Sequence, residues 1–360
     1  MNRDPTPGAV SNPELNEHLV PQTANPPNGT QTMIWGNHSV EDISQITCAI
    51  YEEIVYWKKN LFKLPSGAAG KQYIKEMTRL INIWNEDCRP LSGIALKLVM
   101  IMPALLLQKP SRKSTAKQHS EYLNKRLTLW EIGSFDQLMR EVRSIQQKLK
   151  ENQPKNESTE QLAKRFAKLM LAGKVHAALR LLDKVESVGV LNLTDEVLSD
   201  LKSLHPDAKH APELILMDGE LPWFDPVVFT NIDESSIAKA ALKTRGAAGP
   251  SGLDADGWRR MLVSKNFGKI GKDLRTSIAK MTQQLCTQEL TLGSVENKRD
   301  IEAYTACRLI PLEKSPSGVR PIGIGEVLRR IIGKASCRNK ARTGRSSRLF
   351  TTLCRSSFRV

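Results

Sequence analysis

Tyr304-Thr-Ala-Cys-Arg-Leu-Ile-Pro-Leu-Glu-Lys314, Ser315-Pro-Ser-Gly318, Val319-Arg-Pro-Ile-Gly-Ile324 and Gly325-Glu-Val-Leu-Arg-Arg-Ile-Ile-Gly-Lys-Ala335 follow one another near the C-terminal end of the chain. Two short β-prone segments flank a Pro/Ser/Gly turn, which is the pattern of a hairpin, and a basic helix comes next. The hairpin sets Lys314 and Arg320 on opposite sides of one turn, where both can reach one anionic ligand. Lysine supplies a point charge and arginine a planar fork, a pairing that suits the phosphates of a nucleotide or a template backbone. Exposed Lys and Arg also discourage pairing along a hairpin edge. On spacing and charge alone the two readings stand even.

The rest of the chain agrees with an anionic partner. Its 360 residues carry a formal charge of +15, and a basic balance of that size favours nucleic acid. Residues 301–360 hold thirteen Lys/Arg against three Asp/Glu, so the basic end is also the informative one. The six cysteines, Cys48, Cys88, Cys286, Cys307, Cys337 and Cys354, form no Cys-x-x-Cys pair and have no adjacent His pair, which reads as reduced thiols in an intracellular protein, cytoplasmic or nuclear. The first residues lack the apolar core of a secretory signal. The longest apolar run, Leu98 to Leu107, is ten residues and contains Pro103, about half of the ~20 that span a bilayer. No membrane partner is expected.

In chain order, residues 1–38 are rich in Pro, Asn, Thr and Gly and read as a disordered leader. Ser39 with Asp42 makes a capping box, and Ile43, Ile46, Ile50, Ile54, Trp57 and Leu61 recur on one helical face up to Pro65-Ser-Gly67. A second helix turns Tyr73, Ile74, Met77, Leu80, Ile81 and Trp84 inward, and a third runs from Ser92 into Pro103. Lys109 to Lys117 reads as a basic loop, followed by helices over 121–130 and 135–150 and a linker over 151–157. A helix capped by Ser158 and Gln161 is expected to bury Leu162, Phe166, Leu169 and Met170, and a last helix ends near His205-Pro206. Residues 39–205 thus form an all-helical region. Beyond it lie a short helix over 233–244, the loop Gly246-Ala-Ala-Gly-Pro-Ser-Gly-Leu-Asp-Ala-Asp-Gly257, a helix opened by Trp258, and a long amphipathic helix over 270–289. The expected fold class is mainly α with a small β-hairpin, α+β at its C-terminal end, between a disordered leader and a disordered tail.

Three other stretches compete for function. Gly67-Ala-Ala-Gly-Lys71 has two residues between its glycines where a phosphate loop needs four, and Gln72 stands where Ser or Thr would hold magnesium, so a helix-connecting turn is the better reading. The six histidines are scattered singly. Asp254 and Asp256 could meet a hard cation, but a helix cap is favoured because no third oxygen ligand is near. The reading assigns no metal ligand and no catalytic residue.

Arg308-Leu-Ile-Pro-Leu-Glu-Lys314, Gly318-Val-Arg-Pro-Ile322 and Gly325-Glu-Val-Leu-Arg-Arg-Ile-Ile-Gly-Lys334 resemble the fingers of retroelement (retrotransposon) reverse transcriptases, the RNA-directed DNA polymerase family. Gly249-Pro-Ser-Gly-Leu-Asp254 looks like the element that precedes the fingers in such proteins and helps hold the start of the polymerase fold. The helical region before it is similar to the pre-polymerase part of retroelement reading frames. The resemblance covers about residues 220–335. It implies that Lys314 and Arg320 contact an incoming nucleotide and that the partner is an RNA or DNA template-primer; as a nucleic-acid-binding remnant, the chain would use Lys314, Arg320, Arg329, Arg330 and Lys334 on phosphates. It divides the chain into a leader (1–38), a helical region (39–205), a fingers-like region (206–335) and an atypical basic tail (336–360).

The departure from the family is as informative. Its enzymes hold two magnesium ions on palm carboxylates that follow the fingers, and here no Asp or Glu follows Lys334. The Arg/Ser-rich stretch after Ala335 lacks the family pattern, as translation out of frame or a fused terminus would produce. The expectation is a partial reverse transcriptase, truncated before the palm and inactive alone. No cofactor is expected in this chain, and Mg2+ belongs only to the intact family enzyme. Two alternatives stay open, a non-catalytic nucleic-acid-binding remnant and a helical scaffold or interaction protein.

Overall fold

The computed structural model describes residues 38–87, 90–111, 113–151, 159–176, 178–179, 181, 190–191, 193–204, 227–287, 301–314 and 318–342. Residues 1–37, most of the linker after the fifth helix, and residues 343–360 of the tail lie outside them. The described residues are mainly helical, with one two-stranded antiparallel hairpin near the C-terminal end.

Helix α1 (Val40–Ile54) starts at the capping box: the Ser39 hydroxyl accepts the Asp42 N–H at 3.1 Å and the Asp42 carboxylate accepts the Ser39 N–H at 3.3 Å. It stops at Ile54, short of the Trp57 and Leu61 that the spacing places on its face. Past Trp57 the backbone finds partners outside the helix. Gln146 accepts the Lys58 N–H, Gln108 accepts the Asn60 N–H, and the Leu107 carbonyl accepts the Phe62 N–H. Tertiary hydrogen bonds here replace the i to i−4 bonds that periodicity alone would continue.

Helix α2 (Ala68–Asn85) buries Tyr73, Ile74, Met77, Leu80 and Ile81, and leaves Trp84 half-buried. Helix α3 (Leu91–Leu106) is buried on every side and runs one turn past Pro103, whose missing N–H ends neither the helix nor its packing. A helix apolar all round belongs in the middle of a layer. Helix α4 (Ala116–Glu131) begins five residues before the stretch expected from periodicity, because Thr115 and Gln118 form a second capping box. Helix α5 (Phe135–Glu151) packs against it. Arg126 on α4 has a fully buried side chain, bonded to the Leu106 and Gln108 carbonyls at 3.1 and 2.7 Å and to Glu141 on α5 at 2.9 Å, which joins three helices at one point.

Helix α6 (Thr159–Leu171) corrects one expectation. It buries none of its residues: Leu162, Phe166 and Leu169 are half-buried and Met170 is exposed. Helix α7 (Asp195–Leu204) touches the hairpin. Then come α8 (Val227–Thr230), α9 (Glu234–Lys243), α10 (Ala255–Val263) and α11 (Gly268–Thr287), strands β1 (Cys307–Glu313) and β2 (Val319–Gly325), and α12 (Val327–Arg342). Helix α12 continues seven residues into the stretch expected as tail.

One core runs through both regions. Tyr73, Met77 and Leu80 of α2 belong to the same buried cluster as Leu274, Ile278 and Met281 of α11. Asn85 donates to the Ser277 carbonyl at 3.0 Å, and Gln284 donates to the Asn85 carbonyl at 2.8 Å. The described residues of 39–151 and of 227–335 therefore bury their apolar faces against each other, and the change of composition after Pro206 does not separate two cores.

Candidate nucleic-acid interface

Seven residue pairs hold β1 to β2, from Cys307↔Gly325 to Glu313↔Val319, with Leu312 opposite Arg320. The Lys314 N–H continues the ladder to the Gly318 carbonyl at 2.9 Å. Gly318 has φ +117°, a conformation that a side chain would strain, so the turn needs glycine there. Side chains alternate between faces along a strand. Leu312, its partner Arg320, and Lys314 two residues on thus share one face, and both cations are exposed. The hairpin brings together the two residues that the turn chemistry singles out.

The base of the hairpin is anchored by a carboxylate that sequence reasoning missed. Glu326 follows Gly325 and is 1% exposed. Its two oxygens accept the backbone N–H and the hydroxyl of Ser251, at 2.6 and 2.7 Å. Gly249 lies so close that a Cβ there would come within 2.9 Å of the Glu326 backbone nitrogen and Cα. The Gly-Pro-Ser-Gly loop and the end of the hairpin, 75 residues apart in sequence, are one structural unit. Burial pushes the Glu326 carboxyl above the usual carboxylate range, against the pull of the Ser251 bonds and of Lys59 and Arg330.

Lys59 brings the helical region to the same place. Its stem fills the space beside Gly252, which has φ +83°, and its amine caps α1 by donating to the carbonyls of Ile54 and Val55. Burial lowers its pKa to about 8, with Glu326 opposing that shift and Arg308 adding to it.

The remaining basic residues of the resemblance engage the protein's own carbonyls. Arg329 donates to Thr305 at 3.1 Å, Arg330 to Arg245 at 2.9 Å and also to Ala247, and Lys334 to Lys243 at 2.9 Å. Lys334 meets the last carbonyl of α9, where a cation also offsets the helix dipole, and Arg330 meets carbonyls of the loop that follows. These contacts give the three residues a joining role that spacing in α12 does not reveal.

The competing stretches have structural employment. Gly67 is the N-cap of α2, and a Cβ on Gly70 would overlap the Pro65 carbonyl, so that glycine-rich stretch is a close chain crossing. Asp254 caps α10 by accepting the Gly257 N–H at 2.7 Å, and Asp256 pairs with Arg259. His119 stacks on Phe62 with ring centroids 4.5 Å apart. Among the described residues no group of three His, Cys, Asp or Glu side chains could hold a metal ion, and no helix is long and apolar enough to cross a membrane. Asp254 and Asp256 are thus engaged by the protein's own groups. No family model matches the chain, and no curated protein or solved structure matches it either.

Proposed function

We propose that the chain is the fingers-bearing part of a retroelement reverse transcriptase, acting as a nucleic-acid-binding protein and lacking polymerase activity by itself. The observation that carries the reading is the hairpin register, with exposed Lys314 and Arg320 on one face of a ladder whose base is pinned to a buried core. A hairpin backbone fixed at its base already holds the two cations on one face, so only their side chains remain to be ordered on meeting phosphates. The stretch after Lys334 supplies none of the carboxylates that phosphoryl transfer requires. Template-primer RNA or DNA is the proposed partner.

The test has two arms. Single-stranded RNA or DNA binds the chain, and the affinity falls as salt rises with a log–log slope of roughly −0.7 per phosphate contacted. Primer extension with template, nucleotides and Mg2+ stays at background. Salt-independent affinity, or incorporation above background, overturns the corresponding half of the proposal.

A second reading, a helical interaction protein, is favoured by one observation: α6 leaves Leu171 91% exposed and buries no residue. Retention of every partner by a variant carrying Lys314→Ala and Arg320→Ala would favour it.

A further inference from the structure

Tyr56 is 89% exposed on the turn that ends α1, whereas Trp57 beside it packs partly into the core. A free aromatic ring normally gains by folding down onto apolar surface. The backbone that follows this one is tied down. The amide of Gln146, 6% exposed, accepts the Lys58 N–H and donates to the Lys58 carbonyl, both at 3.1 Å. Gln108, fully buried, accepts the Asn60 N–H at 3.1 Å, and the Lys59 amine is tied to the last carbonyls of α1. The segment is pre-organised over its whole length.

Its surroundings are cationic. Lys58 and Lys63 are exposed on the same segment. The Lys59 stem packs at Gly252, whose neighbour Ser251 bonds Glu326 at the hairpin base, and Arg308 is exposed near that base, opposite Ile324, so the turn adjoins the hairpin. Of the acids close to this segment, Glu53 is engaged by Arg143 at 2.6 Å, Glu326 has both oxygens held by Ser251, and Glu52 is exposed one turn back on α1. A solvated ring on a fixed backbone, with exposed lysines on the same segment, is the arrangement on which single-stranded bases stack while lysine and arginine follow the backbone.

We infer that Tyr56 is a base-stacking platform for single-stranded nucleic acid, with Lys58 and Arg308 as its phosphate contacts. This extends the strand's path from the hairpin onto the helical region, and it rests on the nucleic-acid-binding reading above. Stacking tolerates any base, so RNA and DNA of mixed sequence both serve as probes.

The experiment is fluorescence anisotropy with labelled 20-nucleotide single-stranded RNA and DNA, titrated with the full chain at several salt concentrations. Tyr56→Ala is expected to weaken binding roughly ten-fold, within the range that stacking contributes, and to leave the salt slope unchanged. Tyr56→Trp restores affinity. Lys58→Ala with Arg308→Ala flattens the slope by about 0.7 per contact. Because Tyr56 is on the surface, the thermal midpoint of Tyr56→Ala stays at the wild-type value. Wild-type affinity in Tyr56→Ala, beside a loss in Lys314→Ala with Arg320→Ala, overturns this inference and leaves the hairpin reading standing. Absence of binding by the wild-type chain overturns both.

Discussion

Ser251 gives both its N–H and its hydroxyl to the carboxylate of Glu326, at 2.6 and 2.7 Å, and so closes a loop of 75 residues at the root of the hairpin. Hydrogen bonds to a buried charged group contribute about 1.5–3 kcal/mol each, and an orphaned buried partner costs its desolvation as well. Ser251→Ala is therefore expected to lower stability by roughly 2 kcal/mol in chemical denaturation. A change below about 0.5 kcal/mol, the scale of an ordinary surface substitution, would show that the contact carries no load.

The protonation of Glu326 sets a pH signature. Its folded pKa is raised above the ordinary 4.5, chiefly by burial. A raised carboxyl contributes stability that is complete below the unfolded pKa and is lost as pH rises through the folded one. Relative to Glu326→Gln, which keeps the shape and can still bond Ser251, the wild-type chain loses stability on going from pH 4 to neutrality. A flat difference between the two proteins over that window would contradict the raised value.

Lys59 works in the alkaline range. Burial has lowered its pKa from 10.5 to about 8, and a depressed lysine contributes stability that is present above the unfolded pKa and lost as pH falls through the folded one. Measured against Lys59→Met, wild-type stability rises between about pH 8 and about pH 10.5. A difference that does not move with pH refutes the assignment.

Arg330 separates joining from binding. Its guanidinium ties α12 to the Arg245 and Ala247 carbonyls. Arg330→Ala should cost about 1–3 kcal/mol of stability. At temperatures where that variant is folded, its affinity for single-stranded RNA should fall by less than that of Arg320→Ala. The opposite ranking of affinities would return Arg330 to the phosphate contacts.

Much of this was legible in the sequence where the causes are local. The Ser39–Asp42 cap, the inward face of α2 and the hairpin turn each follow from residues three or four apart. Misreadings arose where a distant residue decides. The end of α1 is set by Gln146 and Gln108, which no periodicity near Ile54 announces. In α6 the apolar spacing of Leu162, Phe166 and Leu169 is sound, but no neighbour among the described residues buries it fully. The early start of α4 was available in principle, since Thr115 and Gln118 form the same motif as Ser39 and Asp42. For Glu326 the only local sign is a lone carboxylate between a glycine and an apolar run, and Ser251 and Lys59 reach it through the fold alone.

The central claim is that Lys314 and Arg320, on one face of the hairpin, hold a nucleic-acid backbone. The most direct measurement is the salt dependence of single-stranded RNA binding by the wild-type chain and by Lys314→Ala with Arg320→Ala. The account predicts weaker binding by the double variant and a log–log slope shallower by about 1.4, two phosphate contacts at ~0.7 each, with an unchanged thermal midpoint. Equal affinity and equal slope in the two proteins would contradict it.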